Sequence, residues 1–378
     1  MHGPIVDKIY LQPLGFLRGC TASRAVKAGQ ARWLAGGGAA DGSGLAYAMV
    51  RIIFRQGAAR HREEIYPVYR LDDYLSGLSV AEQEEAAALL EHIDAPRPAL
   101  AGPGAGEKSL KNLSWSKPLI QGIVNVTPDS FSDGGRFDRL EAAVAHARAL
   151  IEAGADIIDI GGESTRPGAA KVSIEVELER VIPVIERLKD CATPISIDSR
   201  NAAVMRAALK AGAHIINDVS ALTHDEESPA CAVEANCPVI LMHARHTPDR
   251  MQDDPRYDDV LLDVYDYLEE RLKSCAAAGI AHHRLIIDPG IGFGKTVDHN
   301  IELLANLSLF HGLGAPILLG VSRKSFIGHI TGEQRAEARV AGSLAAGQAG
   351  CDQGVQILRV HDVGECRQAR DIWAALRG

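Results

Sequence analysis

The sequence predicts an α/β protein, a (β/α)8 TIM barrel preceded by a small α+β region, on three observations. Eight short, β-branched apolar runs recur between residue 117 and the C-terminal end. Each is followed by an Ala/Leu/Glu/Arg-rich stretch of helical period, and almost every run ends in a polar residue. Continuously apolar strands mark a sheet covered on both faces, hence a parallel one. Eight βα units in roughly 250 residues is the size of a barrel. A doubly wound sheet is the competing architecture, but no Gly-rich dinucleotide fingerprint follows the first run.

The runs, in order, are 118–126, 156–160, 194–198, 214–218, 238–242, 284–288, 316–320 and 355–360. Residues 140–154, LEAAVAHARALIEAG, show the helical texture between them. Upstream the texture differs. Residues 10–19, 45–54 and 64–72 alternate as strands, with Gly-rich turns such as GGGAADGSG between them. Residues 79–93 read as a helix, with Ser79 as cap and Glu82 three positions on. The domain reading is therefore an α+β extension over 1–100, a Pro/Gly/Ala-rich linker over 101–116, and the barrel over 117–378. The extension shows no catalytic cluster.

Composition narrows the functions. The 378 residues carry a formal charge of −9, which argues against a nucleic-acid binder. No uncharged apolar stretch of about 18 residues exists, so no membrane span is expected, and the N-terminus lacks the basic-then-apolar pattern of a signal peptide. Seven scattered cysteines without a C-x-x-C pair suit core positions in a reducing cytoplasm better than a zinc site.

Chemistry in a barrel of this kind sits at the carboxyl ends of the strands. There the sequence places Asn125, the GGESTRPG loop, Asp198, Asn217 with Asp218, Met242 with His243, Asp288, the Ser322–Ser325 run, and Arg359 with His361. Burying such groups without partners costs about 1–3 kcal/mol each, so their recurrence points to a polar site. Arg359 and His361 lie two apart on one strand and share a face, which suits a multiply charged phosphate; a closing salt bridge is the bland reading. Lys324 and Ser325 open a helix, where free N–H groups favour an anion. The GKT ending of DPGIGFGKT (288–296) evokes a nucleotide loop, but the required Gly is Pro289, so that reading fails. Glu163, Ser164, Thr165 and Arg166 between glycines suit a lid.

Residues 122–135, GIVNVTPDSFSDGG, and 156–169, DIIDIGGESTRPGA, resemble the two signatures of the dihydropteroate synthase family of the folate pathway, a pterin-binding family. ISIDSR, IINDVSA, IIDPGIGFGKT, LLGVSRKSFIG and VQILRVHDV resemble it too, in the same order, over roughly 117–378. The resemblance implies condensation of 6-hydroxymethyl-7,8-dihydropterin pyrophosphate with 4-aminobenzoate, giving 7,8-dihydropteroate and pyrophosphate. It further implies Mg²⁺ on Asn125, with Thr165, Arg359 and His361 on the pyrophosphate and Ser164 and Arg166 nearby. Asp198, Asn217, Asp288 and Lys324 would hold the pterin, with Met242 packing on its ring. Thr165, Pro167, Phe293 and Ser325 would meet the aminobenzoate, where sulfonamides would compete. Asp198, Lys324, Arg359 and His361 are the implied catalytic groups, and a homodimer is the implied assembly. The lids at 127–136 and 162–170 would close over an SN1-like alkyl transfer. Two departures from the family pattern stand out: Ile291, where Phe is common, which would reshape a pocket wall, and His246, where Gly is common. His243 reads as a supporting residue. The rival readings are a pterin-dependent methyltransferase domain, which would not need Arg359 with His361 or the ESTRPG lid, and a non-catalytic pterin-binding partner.

Overall fold

The computed structural model describes residues 7–36, 44–100, 110, 113–127, 136–164, 172–245 and 255–377. The extension is an antiparallel sheet in which the long strand β3 (Leu45–Gln56) is central. Strand β1 (Lys8–Arg18) pairs along one edge of it; β2 (Arg32–Trp33) and β4 (Ala59–Pro67) share the other. Helix α1 (Gly19–Lys27) follows β1, a short α2 (Leu71–Leu75) follows β4, and α3 (Val80–Asp94) lies against β1. Helix α3 starts where the sequence places it: Ser79 accepts from the Glu82 N–H, and the Glu82 carboxylate accepts from the Ser79 N–H at 2.8 Å.

Two readings of the extension change. The third strand is 59–67 rather than 64–72, because Pro67 removes a ladder donor and the chain turns into helix. Helix α1 has no counterpart in the sequence reading. It buries only Ala22, with Ala25 and Val26 half-buried beside it, and over nine residues this stripe of small side chains is too short to stand out in the sequence.

Eight parallel strands form the barrel, β5 (Leu119–Asn125), β6 (Ile157–Gly161), β7 (Ile195–Asp198), β8 (Ile215–Asp218), β9 (Val239–Met242), β10 (Leu285–Asp288), β11 (Leu318–Leu319) and β12 (Ile357–Val360). Each lies within its predicted run to a residue. A parallel bridge from Ile287 to Ile317 closes the ring between β10 and β11. The surrounding helices are α4 (Arg136–Ala153), α5 (Ile174–Leu188), α6 (Ala202–Ala211), α7 (Ser228–Ala235), α8 (Val260–Ala277), α9 (Val297–Ala305), α10 (Ser325–Thr331), α11 (Val340–Asp352) and α12 (Val363–Arg377). Among the described residues no helix is long and apolar enough to cross a membrane.

Leu119, Ile157, Ile215, Ile240, Ile286, Leu318 and Ile357, near the amino ends of their strands, form one apolar layer. Leu100, Leu110 and Leu113 close it from below. The described part of the segment read as a linker is therefore a plug for the barrel floor, held by burial. The extension also grips the barrel wall. Tyr10 meets Tyr265 edge-on at 5.1 Å, and Tyr265 stacks towards Phe310. Around them Lys8 reaches Asp266 and Glu269, and Arg55 reaches Asp263 and Asp266, all on α8. A cationic sheet face thus lies on an acidic helix, and the strand ends above the floor are free for chemistry.

Candidate active site

Because side chains alternate along a strand, residues two apart point into the barrel together. The inward positions change character from floor to mouth: Leu119, then Gln121, then Ile123 and Asn125 on β5; Ile157, then Asp159 on β6; Ile215, then Asn217 on β8; Ile286, then Asp288 on β10. At the mouth Ile123, Asn217, Met242, Asp288, Phe293, Lys324, Arg359 and His361 line one cavity.

One cation organises its depth. The Arg359 Nε donates to Asp159 Oδ2 at 2.7 Å, and its Nη2 donates to Asp198 Oδ2 at 2.6 Å. Asp159, with no solvent exposure, also accepts from the Asn217 amide at 3.1 Å. Asp159 thereby fixes two of the predicted site residues. Sequence reasoning misses it because it sits inside the apolar run DIIDI; an acid in mid-strand of a parallel sheet is the available signal. Burial pushes the Asp198 carboxyl up to about 7, against the pull of Arg359 and with the repulsion of Asp159. The guanidinium read as a phosphate ligand is thus already paired with two carboxylates.

The second cluster hangs on the loop after β10. The Asp288 Oδ1 accepts from the Gly290 N–H at 2.7 Å, and burial raises this carboxyl too. Gly290 has φ +67, and a Cβ there would lie 1.9 Å from the His243 carbonyl oxygen, so only glycine fits. The Lys324 Nζ donates to the Ile291 carbonyl at 2.7 Å and sits 4.0 Å from the centre of the Phe293 ring. Burial lowers it to about 7. The Ile291 side chain is fully buried in the core, and it is the backbone carbonyl of this residue that meets Lys324.

Lys295 explains the false nucleotide motif. Its ammonium is internal, donating to the carbonyls of Gly290 at 2.9 Å and Phe293 at 3.0 Å and meeting His243 Nδ1 at 2.8 Å. Burial holds Lys295 well below the usual lysine range, and burial with the adjacent Lys295 does the same to His243. His243 thus meets Lys295 inside the protein and is not among the residues lining the cavity.

At the rim, the Ser322 hydroxyl lies 3.0 Å from His361 Nδ1 and accepts the His361 N–H. Asn125 ends β5 beside Gly161. Ser325 is exposed at the first position of α10. Glu163, at the root of the second predicted lid, is clamped by Arg200 through two bonds of 3.0 Å. Thr165, Arg166, Pro167 and His246, with most of both lids, lie outside the described residues. Among the described residues no three His, Cys, Asp or Glu side chains cluster as a metal site.

A parallel barrel whose mouth gathers buried carboxylates, an amide and three cation-capable groups has the architecture of a barrel enzyme with a polar, small-molecule site. Comparison with known proteins makes the class specific. Residues 121–361 match the family described as pterin binding enzyme. The chain is 49% identical over 259 residues to the dihydropteroate synthase of Escherichia coli K12, covering 68% of this chain and 91% of that one. It resembles the Xanthomonas albilineans dihydropteroate synthase structure with 4-aminobenzoic acid at 49% identity and a TM-score of 0.67, covering 70% of this chain and 95% of that one. The Yersinia pestis dihydropteroate synthase in a sulfonamide drug complex matches at 46% identity and a TM-score of 0.67, covering 70% and 96%. The chain belongs to the pterin-binding enzyme family, in its dihydropteroate synthase branch. The extension lies outside the matched region.

Proposed function

We propose that this barrel is a transferase that condenses 6-hydroxymethyl-7,8-dihydropterin pyrophosphate with 4-aminobenzoate to give 7,8-dihydropteroate and pyrophosphate. The observation that carries the reading is the single cavity joining Asp288, Asn217 and Lys324 to Arg359 and His361. The amino-pyrimidine edge of a pterin offers parallel N–H donors. A buried carboxylate such as Asp288, with one oxygen already held by Gly290, is the acceptor they need. Lys324 donates to the ring oxygen and nitrogen, Asn217 is held by Asp159 to complete the recognition, and Met242 packs on the ring.

Reaction then requires the C–O bond to the pyrophosphate to break with its electron pair leaving on the pyrophosphate. The arylamine nitrogen bonds to the same carbon and gives up one proton to the pyrophosphate or to solvent. Asp198 offsets positive charge developing on the pterin methylene as the bond breaks. Arg359 and His361 receive the charge of the departing pyrophosphate. The neutral arylamine is itself the nucleophile, so the chain supplies positioning and water exclusion, in line with an SN1-like course. Phe293 and Ser325 provide the second-substrate wall, the role that the family resemblance also assigns to Thr165 and Pro167, and sulfonamides compete there. In this reading Mg²⁺ would be carried largely by the substrate's phosphates and water, with the Asn125 amide oxygen as the ligand from the chain. When bound, it neutralises charge on the leaving group. A homodimer is the assembly we propose.

Pyrophosphate release from the pterin substrate that depends on 4-aminobenzoate tests the reading, with sulfonamide competition against 4-aminobenzoate as the second arm. Pterin binding without turnover would favour a non-catalytic partner instead.

A further inference from the structure

The extension reaches the catalytic rim through one hairpin. Strands β3 and β4 turn at Gly57, and Arg60 follows on β4. Its guanidinium holds three acids at once: Asp259 through Nε and Nη2, Glu302 on α9 at 2.5 Å, and Glu63 of its own strand at 3.2 Å. Asp259 caps the amino end of α8, accepting from the Leu262 N–H at 3.1 Å. Arg55, on the same hairpin, binds Asp263 one turn further along. In a barrel the amino end of such a helix faces the mouth, so these contacts fix the chain just where it leaves the site.

Two residues before the cap, the Tyr257 hydroxyl donates to the Gly294 carbonyl at 2.8 Å. Its ring lies between those of His299, 5.0 Å away, and His243, 6.0 Å away, with the Arg245 guanidinium 5.0 Å from its centre. Gly294 adjoins Phe293, the ring that contacts Lys324. A continuous series of contacts therefore runs from Arg60 through Asp259 and Tyr257 to Gly294 and Phe293. Each link is a charge-assisted or ordinary hydrogen bond, or at most two residues of chain.

We infer that Arg60 is a positioning residue for the second-substrate wall, so that the extension sets how tightly 4-aminobenzoate and its analogues are held. The inference rests on the function proposed above for the barrel. Arg60 itself lies outside the matched residues 121–361, while Asp259, Tyr257 and Gly294 lie within them.

The test compares full-length wild type with Arg60→Ala, Arg60→Lys, Tyr257→Phe and, as a control elsewhere in the extension, Arg32→Ala, which removes the pair with Asp94. The expected result for Arg60→Ala is a KM for 4-aminobenzoate and a sulfonamide inhibition constant raised together by about 3- to 10-fold. The kcat and the KM for the pterin substrate stay unchanged. Arg60→Lys recovers part of the loss, Tyr257→Phe reproduces it, and the Arg60→Ala/Tyr257→Phe double variant adds little. Arg32→Ala leaves both constants alone. Amide hydrogen exchange across 290–296 supplies a readout independent of activity and rises in Arg60→Ala but not in Arg32→Ala. Unchanged exchange there, or an active enzyme whose 4-aminobenzoate KM ignores Arg60→Ala, overturns the inference. An inactive wild type contradicts the proposed reaction instead, and the exchange result then decides the structural coupling by itself.

Discussion

The Arg359 Nη2 donates to Asp198 Oδ2 at 2.6 Å while the neighbouring Nε donates to Asp159 Oδ2 at 2.7 Å, so one cation serves two carboxylates inside the barrel mouth. The arrangement keeps Asp198 beside the cavity without a fixed solvent shell, where a charge appearing on substrate meets it unscreened. In the proposed reaction, turnover and its pH dependence both hinge on that sharing.

Asp198→Asn keeps the shape and most of the hydrogen bonding but removes the charge. The expected outcome is a fall in kcat of about 10²- to 10³-fold, the scale of losing a preorganised electrostatic group. Circular dichroism and thermal unfolding establish that the variant is folded. A folded variant with wild-type turnover removes Asp198 from the mechanism.

The acid–base groups predict a bell-shaped profile of kcat/KM centred near neutrality. Asp198 at about 7 must ionise, which sets the acid limb, and Lys324 at about 7 must keep its proton, which sets the basic limb. The stability slopes have definite signs as well. A carboxyl raised from 3.8 to about 7 makes the fold lose stability as pH rises through that window. A lysine lowered from 10.5 to about 7 makes it gain stability as pH rises from there towards 10.5. Lys324→Met flattens the upper slope and removes the basic limb from whatever activity remains. Denaturant unfolding and rate measurements across pH check both.

Asp159→Asn tests the shared cation. Removing its charge takes away one of the groups that raise Asp198, so the acid limb moves to lower pH. Arg359 retains Asp198, so the cost in stability is about 1–3 kcal/mol rather than that of an orphaned buried charge. An acid limb that stays in place separates Asp159 from the titration of Asp198.

The floor plug is tested by Leu110→Ala. Leu110 is 1% exposed against the closing layer of the barrel, and such truncations cost about 2–5 kcal/mol. Denaturant unfolding measures the loss, and unchanged stability contradicts the plug.

The barrel is legible in the sequence because fully buried parallel strands need apolar runs, and the polar residues that end them have no packing reason to be there. Asn217, Asp288 and Lys324 stand out in that way. Arg359 does too, but its partners do not, since pairing across strands depends on register that no local pattern encodes. Asp159 is hidden by its apolar neighbours, and Lys295 by its likeness to a nucleotide loop. The extension is the least legible part. Its long strands show as apolar runs and pack into the core through Tyr10, Ile53 and Phe54. The ion pairs of Arg55 and Arg60 that also tie the sheet to α8 follow no local pattern, and Leu110 and Leu113 serve a floor built by residues far away in sequence.

The most direct test of the account is incubation of the purified full-length chain with 6-hydroxymethyl-7,8-dihydropterin pyrophosphate, 4-aminobenzoate and Mg²⁺, following dihydropteroate and pyrophosphate together. Equal amounts of both products, formed only when both substrates are present, are the expected result. No dihydropteroate, under conditions where the Escherichia coli relative turns over, would contradict it.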